Sequence, residues 1–454
     1  MYARMNASIR ELQRSRTGWA SAIMLGSSNW GQQQRHVAPA VRAAYEAVCL
    51  TGFIPDPQRS VETRGSAASG TAVLSLSMRR LAKLVAYSML YEFEDVLKET
   101  TAADCIEPWD MPRLEFSRRT YKLARFTTRS TELARALSIK PRTVRLERDY
   151  DLFFPTFNHT HELYALATIP NWRQRCRLAA CFVSELWVHL LPRYLLELLA
   201  QFDHIFLGVV NPVSEVAKIV GRPCTYLPLA TNVLRFAPLP EPPVRAIDVC
   251  NIGRRSDVTH GALLDLAQKH EFFYFYDTVS ASGADQTQRT FQVHVPAEHR
   301  LLLASILKRS RYYFANRARV NEPSYTMGRE EISGRFYEGA AAGTIMIGEP
   351  PKSSEFRSQF NWPDAAFEVP FHSPDIGQWL QKFDADPARL ARSRQQNVHH
   401  AALRHDWVHR IRTVFEILGL PPTEAMLLRE QQLQRIATLA LDDSPQAHPS
   451  AAAR

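Results

Sequence analysis

The residues best suited to chemistry lie in the stretch Glu330-Glu-Ile-Ser-Gly-Arg-Phe-Tyr-Glu338-Gly-Ala-Ala-Ala-Gly343. Seven residues separate Glu330 from Glu338, and the pattern predicts a helix from Gly334 to Ala342. Glu338 then stands in the first turn and Glu330 on the loop before it, so that both can face one ligand at the helix N-terminus. Free backbone N–H groups and the helix dipole favour phosphate oxygens there. Carboxylates accept hydrogen bonds from sugar hydroxyls, each worth about 1.5–3 kcal/mol when charge-assisted. The run from Gly339 to Gly343 has no bulky side chain and lets helix, strand and ligand approach closely. The plainer alternative is a capped amphipathic helix with solvated acids. Two further groups follow predicted strands. Glu185 comes after Leu178–Val183 and is either a hydrogen-bonding base or a structural cap. His159 and His161 come after Asp149–Phe154 and either face a ligand or are ordinary loop histidines. As metal ligands the two histidines have only Glu162 beside them, with no fourth ligand evident, so no metal is expected.

Short apolar runs alternating with helical patterns would position these groups, the signature of doubly wound parallel sheets. Residues 1–20 and 55–72 read as loosely ordered. Between them Ala22–Leu25 reads as a strand entering the loop Gly26–Gly31 and a helix to Val48, without the G-x-G-x-x-G spacing of a phosphate loop. Strands are predicted at 84–88, 104–106, 149–154, 178–183, 204–210 and 224–227. Phe236-Ala-Pro-Leu-Pro-Glu-Pro-Pro-Val244 has four prolines in nine residues, which no packed helix or central strand tolerates, and is assigned as a linker. Beyond it strands are predicted at 247–252, 272–276, 312–315, 344–347 and 367–369. One long amphipathic helix is predicted from Ala388 to Leu418, stopping at Gly419 before Pro421-Pro422. This gives one domain over 21–235 and a second over 245–400, facing across a cleft. Ligands of open α/β sheets sit beyond the strand C-termini, so the cleft is the expected site.

Composition sets the limits. A 454-residue chain with 45% hydrophobic and 22% charged residues is ordinary for a folded protein. That excludes a mainly disordered, collagenous or disulfide-stapled chain. Six cysteines without a C-x-x-C pair read as free thiols in a reducing cytosol. The apolar stretch Leu178–Ala200 contains Glu185, Arg193 and Glu197. At the bilayer centre each charge would cost roughly 2.5–3.5 kcal/mol, so no membrane span is expected. The N-terminus does not read as a secretory signal, and a cytoplasmic location is expected. The net charge of +9, carried mostly by Arg, suggests an anionic partner: nucleic acid, a membrane surface or a phosphorylated substrate. With no zinc-finger spacing or RNA-binding motif, nucleic acid is not expected.

The acidic pair, the small-residue run and the strand behind them resemble the donor-binding signature of retaining glycosyltransferases of the GT-B fold. The form R-F-x-E-x-x-A-x-G is most similar to the glycosyltransferase group 1 branch that includes CgeB-like proteins. Tyr226-Leu-Pro-Leu-Ala-Thr-Asn-Val-Leu-Arg-Phe236 resembles that family's segment crossing between domains, with Thr231-Asn232 in place of the usual Val-Asp. Asn251-Ile-Gly253-Arg254-Arg255-Ser-Asp-Val-Thr-His260-Gly261 resembles its diphosphate-binding segment, with His260 displaced by one residue from the usual Lys. The stretch Asn397–Arg410 resembles its closing helix.

The resemblance covers roughly 80–420 and implies an N-terminal acceptor domain, a C-terminal nucleotide-sugar domain, and a final helix over 401–420 returning to the first. An extension follows over 421–454, whose polar, Ala/Pro-rich tail from Asp442 reads as disordered. It implies Gly253, Arg254, Arg255, His260, Glu330, Arg335, Glu338 and Gly343 as donor-binding residues, with Glu338 on the ribose and Glu330 on sugar hydroxyls. Arg335 either meets the leaving phosphate or orients the acids. The catalytic candidates are Glu185, His159 and His161. No cofactor is implied beyond the nucleotide-diphosphate sugar, and transfer is expected to retain anomeric configuration. The acceptor is a glycan, a lipid-linked molecule or a small molecule. Basic residues over Arg113–Arg148 would suit contact with the inner face of a membrane. A silent protein that binds sugar nucleotide within a glycan-assembly system is the alternative.

Overall fold

The computed structural model describes residues 71–442, except Trp109, Lys140, 189–192, 278–279, 282–288 and 291. The strand and helix expected at 22–48, the loose segments before residue 71, and the tail after Asp442 lie outside the described residues.

The first sheet is built from β1 (Val73–Leu76), β2 (Asp104–Ile106), β3 (Tyr150–Phe153), β4 (Thr156–His159), β5 (Cys176–Glu185), β6 (His204–Leu207) and β7 (Cys224–Tyr226). Its order is β2-β1-β3-β5-β6-β7, with β4 also on β5, and every pairing is parallel. β3 and β4 pair with successive parts of β5, Leu152 opposite Leu178 and Phe157 opposite Val183. They are one strand interrupted at Pro155, which has no N–H for the ladder. Helices α1 (Ser88–Thr101), α2 (Met111–Thr128) and α3 (Thr131–Leu137) belong to this half. One expectation fails here. The run Leu84–Ser88 is not a strand: Val85–Tyr87 forms a 3-10 turn and Ser88 opens α1. The strand in that region is Val73–Leu76, four residues buried throughout, as a central strand covered on both faces must be.

The second sheet contains β8 (Ile247–Asn251), β9 (Tyr274–Tyr276), β12 (Ser310–Phe314), β13 (Ile345–Gly348) and β14 (Phe367–Glu368), in the parallel order β14-β13-β12-β8-β9. A small hairpin, β10 (Ser280–Ala281) with β11 (Arg289–Thr290), lies between β9 and β12 in the chain. Flanking helices are α4 (Asp257–Lys269), α5 (Pro296–Lys308) and α6 (Gly334–Ala341). The proline-rich stretch between the sheets has no helix or strand after Phe236 until β8 begins.

The single helix expected from Ala388 to Leu418 is two, α7 (Pro387–Arg404) and α8 (Trp407–Ile417), and a third follows, α9 (Glu424–Asp442). The break at His405-Asp406 has a physical cause. Asp406 accepts hydrogen bonds from the Val408 amide at 2.9 Å, capping α8, and from the Val233 amide at 2.8 Å. Its two oxygens also take Arg429 of α9, at 2.8 and 2.9 Å. Burial alone would raise the Asp406 carboxyl, but Arg429 holds it below the ordinary carboxylate value. Thr231 pairs with Asp406 as a bridge, so this aspartate fastens the crossing segment to the returning helices. The histidine beside it, His405, is packing: it is fully buried against Tyr337, Phe360 and Trp362.

Candidate active site

The C-terminal strand ends of the two sheets face one another across a cavity of about 770 Å³. That lies within the few hundred to ~1,000 Å³ typical of small-molecule sites. His159 ends β4 and Glu185 ends β5 on one wall; Gly253 follows β8 and Arg317 and Arg319 follow β12 on the other. Ser333 and the first-turn residues Gly334 and Arg335 of α6 line the cavity, and Glu338 reaches it from the second turn, not the first turn that the sequence suggested.

Glu338 is buried and doubly engaged. Arg300 of α5 donates to one carboxylate oxygen and the Tyr313 hydroxyl donates to the other at 3.3 Å. Arg300 is only 2% exposed and reaches across to the first sheet's α1. There it donates to both Glu92 oxygens, at 3.2 and 3.0 Å, and to the Thr231 hydroxyl at 2.9 Å. Glu92 also accepts from the Asn232 amide and the Trp407 indole. One guanidinium thus ties the candidate ribose-binding acid to the domain crossing.

Arg335 differs from every other cavity cation. Its guanidinium makes no hydrogen bond or ion pair with any described residue. It lies directly over Gly253, where a Cβ would sit 2.3 Å from Nη2, and Gly253 has φ +72°. The positive φ favours glycine there, and the missing side chain leaves room for the guanidinium. The Ser333 hydroxyl donates to the Asn316 carbonyl at 2.6 Å and does not cap α6. The first turn therefore opens on the cavity without a side-chain cap.

The other expected donor residues are placed differently. Arg254 lines the cavity but pairs with Glu322. Arg255 does not line it: its guanidinium donates to the Asp277 carboxylate at 2.6 Å and the Asp277 carbonyl at 2.7 Å, and lies over the Tyr276 ring. The same Asp277 carboxylate accepts the Gly253 amide at 2.9 Å. His260 is turned to the Tyr274 hydroxyl, 2.8 Å away, and away from the cavity. Glu330 accepts the Lys352 amide at 2.7 Å, outside the cavity. Its neighbour Glu331 is the buried acid, accepting the Val210 and Asn211 amides at 3.1 and 3.0 Å and so joining the two sheets. Gly343 lies beyond the C-terminal end of α6, packed against Arg245 and Val398.

On the opposite wall Glu185 accepts from Arg319 at 2.5 Å and the Trp187 indole at 2.8 Å. Burial pushes its carboxyl up, but Arg319 more than offsets this and holds it below the ordinary value. It is an ionised, ion-paired acid, poorly suited to delivering a proton. His159 faces Glu185 across the β4–β5 ladder and meets Tyr87 edge-on. Burial lowers its imidazole pKa. His161 is exposed, at the start of the next turn. Sequence reasoning missed Arg300, Arg317, Arg319, Asp277 and Glu331. For Glu331 the signal was the neighbouring Glu330; for the others the pattern held none.

Two facing parallel α/β sheets with returning C-terminal helices define a GT-B fold. Residues 254–416 match the family described as Glycosyl transferase-like, and the resemblance to the group 1 glycosyltransferases is borne out over that region. No curated protein matches the chain significantly. Among solved structures the chain is similar to Alr3699/HepE of Anabaena, solved in complex with UDP-glucose: 11% identity, 77% of this chain and 99% of that one covered, TM-score 0.44. It is also similar to a glycosyltransferase of Rickettsia africae: 9% identity, 77% and 98% covered, TM-score 0.43.

Proposed function

We propose that this protein transfers a sugar from a nucleoside-diphosphate sugar to an acceptor hydroxyl, without a metal and with retention of configuration. The observation that carries the donor assignment is the unpaired Arg335 guanidinium over Gly253, beside the uncapped start of α6. The bond between the anomeric carbon and the diphosphate breaks, and negative charge collects on the departing phosphate. Arg335 and the α6 amides are placed to stabilise it. Glu338, steadied by Arg300 and Tyr313, holds the ribose, as the family resemblance implies. Glu330 is withdrawn from the sugar, whose hydroxyls fall to Glu185 and His159 on the facing wall. The new bond joins the anomeric carbon to the acceptor oxygen. Retention rests on the resemblance; it brings the acceptor in on the face the diphosphate leaves, so a phosphate oxygen can take its proton.

Neutral His159 accepts a hydrogen bond from a hydroxyl of the donor sugar, which its protonated form cannot do. Because burial lowers its pKa, the acid limb of kcat/KM is expected below the ordinary imidazole value of 6.5, and a pH–rate profile checks this. His159→Gln should remove that limb. A mass-spectrometric screen of sugar nucleotides, scoring donor hydrolysis and transfer separately, tests the function. Turnover of one donor supports it; tight binding of a donor without turnover supports a silent binding component.

A further inference from the structure

The helical hairpin α2–α3 carries a surface that the fold does not explain. Large apolar side chains are exposed along it. Phe126 is 82% and Leu123 65% exposed, and Phe116 lies on the same stripe at i−7 from Leu123. On α3, Leu133 and Leu137 are exposed at i, i+4 spacing. The opposite side of α2 is the one that packs, through Leu114, Ser117 and Tyr121. Between residues 111 and 148 the sequence has eleven Arg or Lys against three Glu, which accounts for nearly all of the net charge of +9. Arg119 falls within the apolar stripe and Lys122 beside it, both exposed.

We propose that the α2–α3 face docks on an anionic lipid surface, Phe116, Leu123 and Phe126 entering the headgroup boundary and the surrounding cations meeting lipid phosphates. An amphipathic helix with apolar side chains amid Arg and Lys lies in the plane of such an interface. Among the described residues no helix is long and apolar enough to cross a membrane. Charge separates the possible occupants. A second copy would set two strongly basic faces together. Duplex nucleic acid offers phosphates but has no use for exposed Phe and Leu. Only an anionic membrane matches both components.

The packed side of α2, behind this surface, connects to the cleft. The Ser117 hydroxyl meets the Tyr164 hydroxyl at 2.8 Å, and Tyr164 lies on the turn that begins at Thr160 and His161, which line the cavity. Resting on the transfer reading above, docking through α2–α3 brings the cleft to the membrane that carries a lipid-borne acceptor.

Vesicle flotation of the full chain tests the proposal, with phosphatidylcholine alone and phosphatidylcholine mixed with phosphatidylglycerol. Binding is expected only to the mixed vesicles and should weaken with added salt. Arg119→Gln, Lys122→Gln and Arg129→Gln together should weaken it on the order of 100-fold, at roughly fivefold for each cation. Leu123→Glu with Phe126→Glu should abolish it, with unchanged circular dichroism because both side chains are exposed. The proposal is overturned if anionic vesicles do not bind, or if both variants bind as the parent does. Tighter binding to duplex DNA than to vesicles also overturns it, as does self-association lost in the Leu123/Phe126 variant. Donor binding measured without vesicles reports on the transfer reading separately.

Discussion

Arg300→Met is expected to cost about 3–5 kcal/mol of folding stability, the usual penalty for breaking a buried ion pair from one side. The guanidinium is buried with Glu92 and Glu338, and its removal leaves Glu338 without its cation and Glu92 with Arg235 alone. The pH dependence distinguishes this from simple loss of packing. In the native protein burial pushes Glu92 up, but Arg300, and then Arg235 and the Asn232 amide, bring it below the ordinary carboxylate value. The stability this contributes is present at neutral pH and lost as pH falls through the lowered pKa. Without Arg300 burial prevails and the Glu92 pKa rises, so the variant loses stability as pH rises above the ordinary carboxylate range. The deficit should therefore be larger at about pH 8 than at about pH 5 in urea titrations. Adding Glu92→Gln and Glu338→Gln should recover much of it, since neutral partners are cheaper to leave buried. A deficit independent of pH would assign Arg300 to packing alone.

Arg335→Ala should leave stability nearly unchanged and lower kcat by about 10²–10³-fold, the loss seen when one preorganised donor to a developing anion is removed. The native side chain is only half-buried and holds no acid, so its removal leaves nothing unsatisfied. Arg335→Lys should restore only part of the rate, because an ammonium supplies the charge without the planar fork that binds phosphate through two hydrogen bonds. Steady-state kinetics with the donor found by the screen separates the outcomes. A fall confined to kcat assigns Arg335 to the departing phosphate, and a rise confined to KM assigns it to ground-state binding.

Most strands were legible because a parallel sheet covered on both faces needs short continuous apolar runs, and those stand out between helices. Val73–Leu76 escaped because its four residues follow a Ser/Gly-rich stretch. Leu84–Tyr87 was misread because an apolar run that packs as one 3-10 turn looks like a strand. The break at His405-Asp406 was hidden by a helical pattern that continues across it, and the partners of Asp406 at Val233 and Arg429 decide it.

In the site, the small-residue run around Gly339 was readable: a Cβ there would come within 2.7 Å of Met346. The choice between Glu330 and Glu331 was not, since adjacent acids share one spacing and the Val210 and Asn211 amides, 121 and 120 residues away, select the buried one. Arg255 matched the family pattern in sequence yet serves Asp277. Arg300 sits in an unremarkable helix, and its partner Glu92 lies 208 residues away. Pairing across a domain crossing leaves no local trace.

The claim that Arg335, Gly253 and the start of α6 form a diphosphate site is tested most directly by calorimetric titration of the folded full chain with the common nucleoside diphosphates. Binding of one of them, lost in Arg335→Ala and Glu338→Ala, is the predicted result. Equal affinity in the Arg335→Ala variant, or no binding of any nucleoside diphosphate by the native chain, would contradict it.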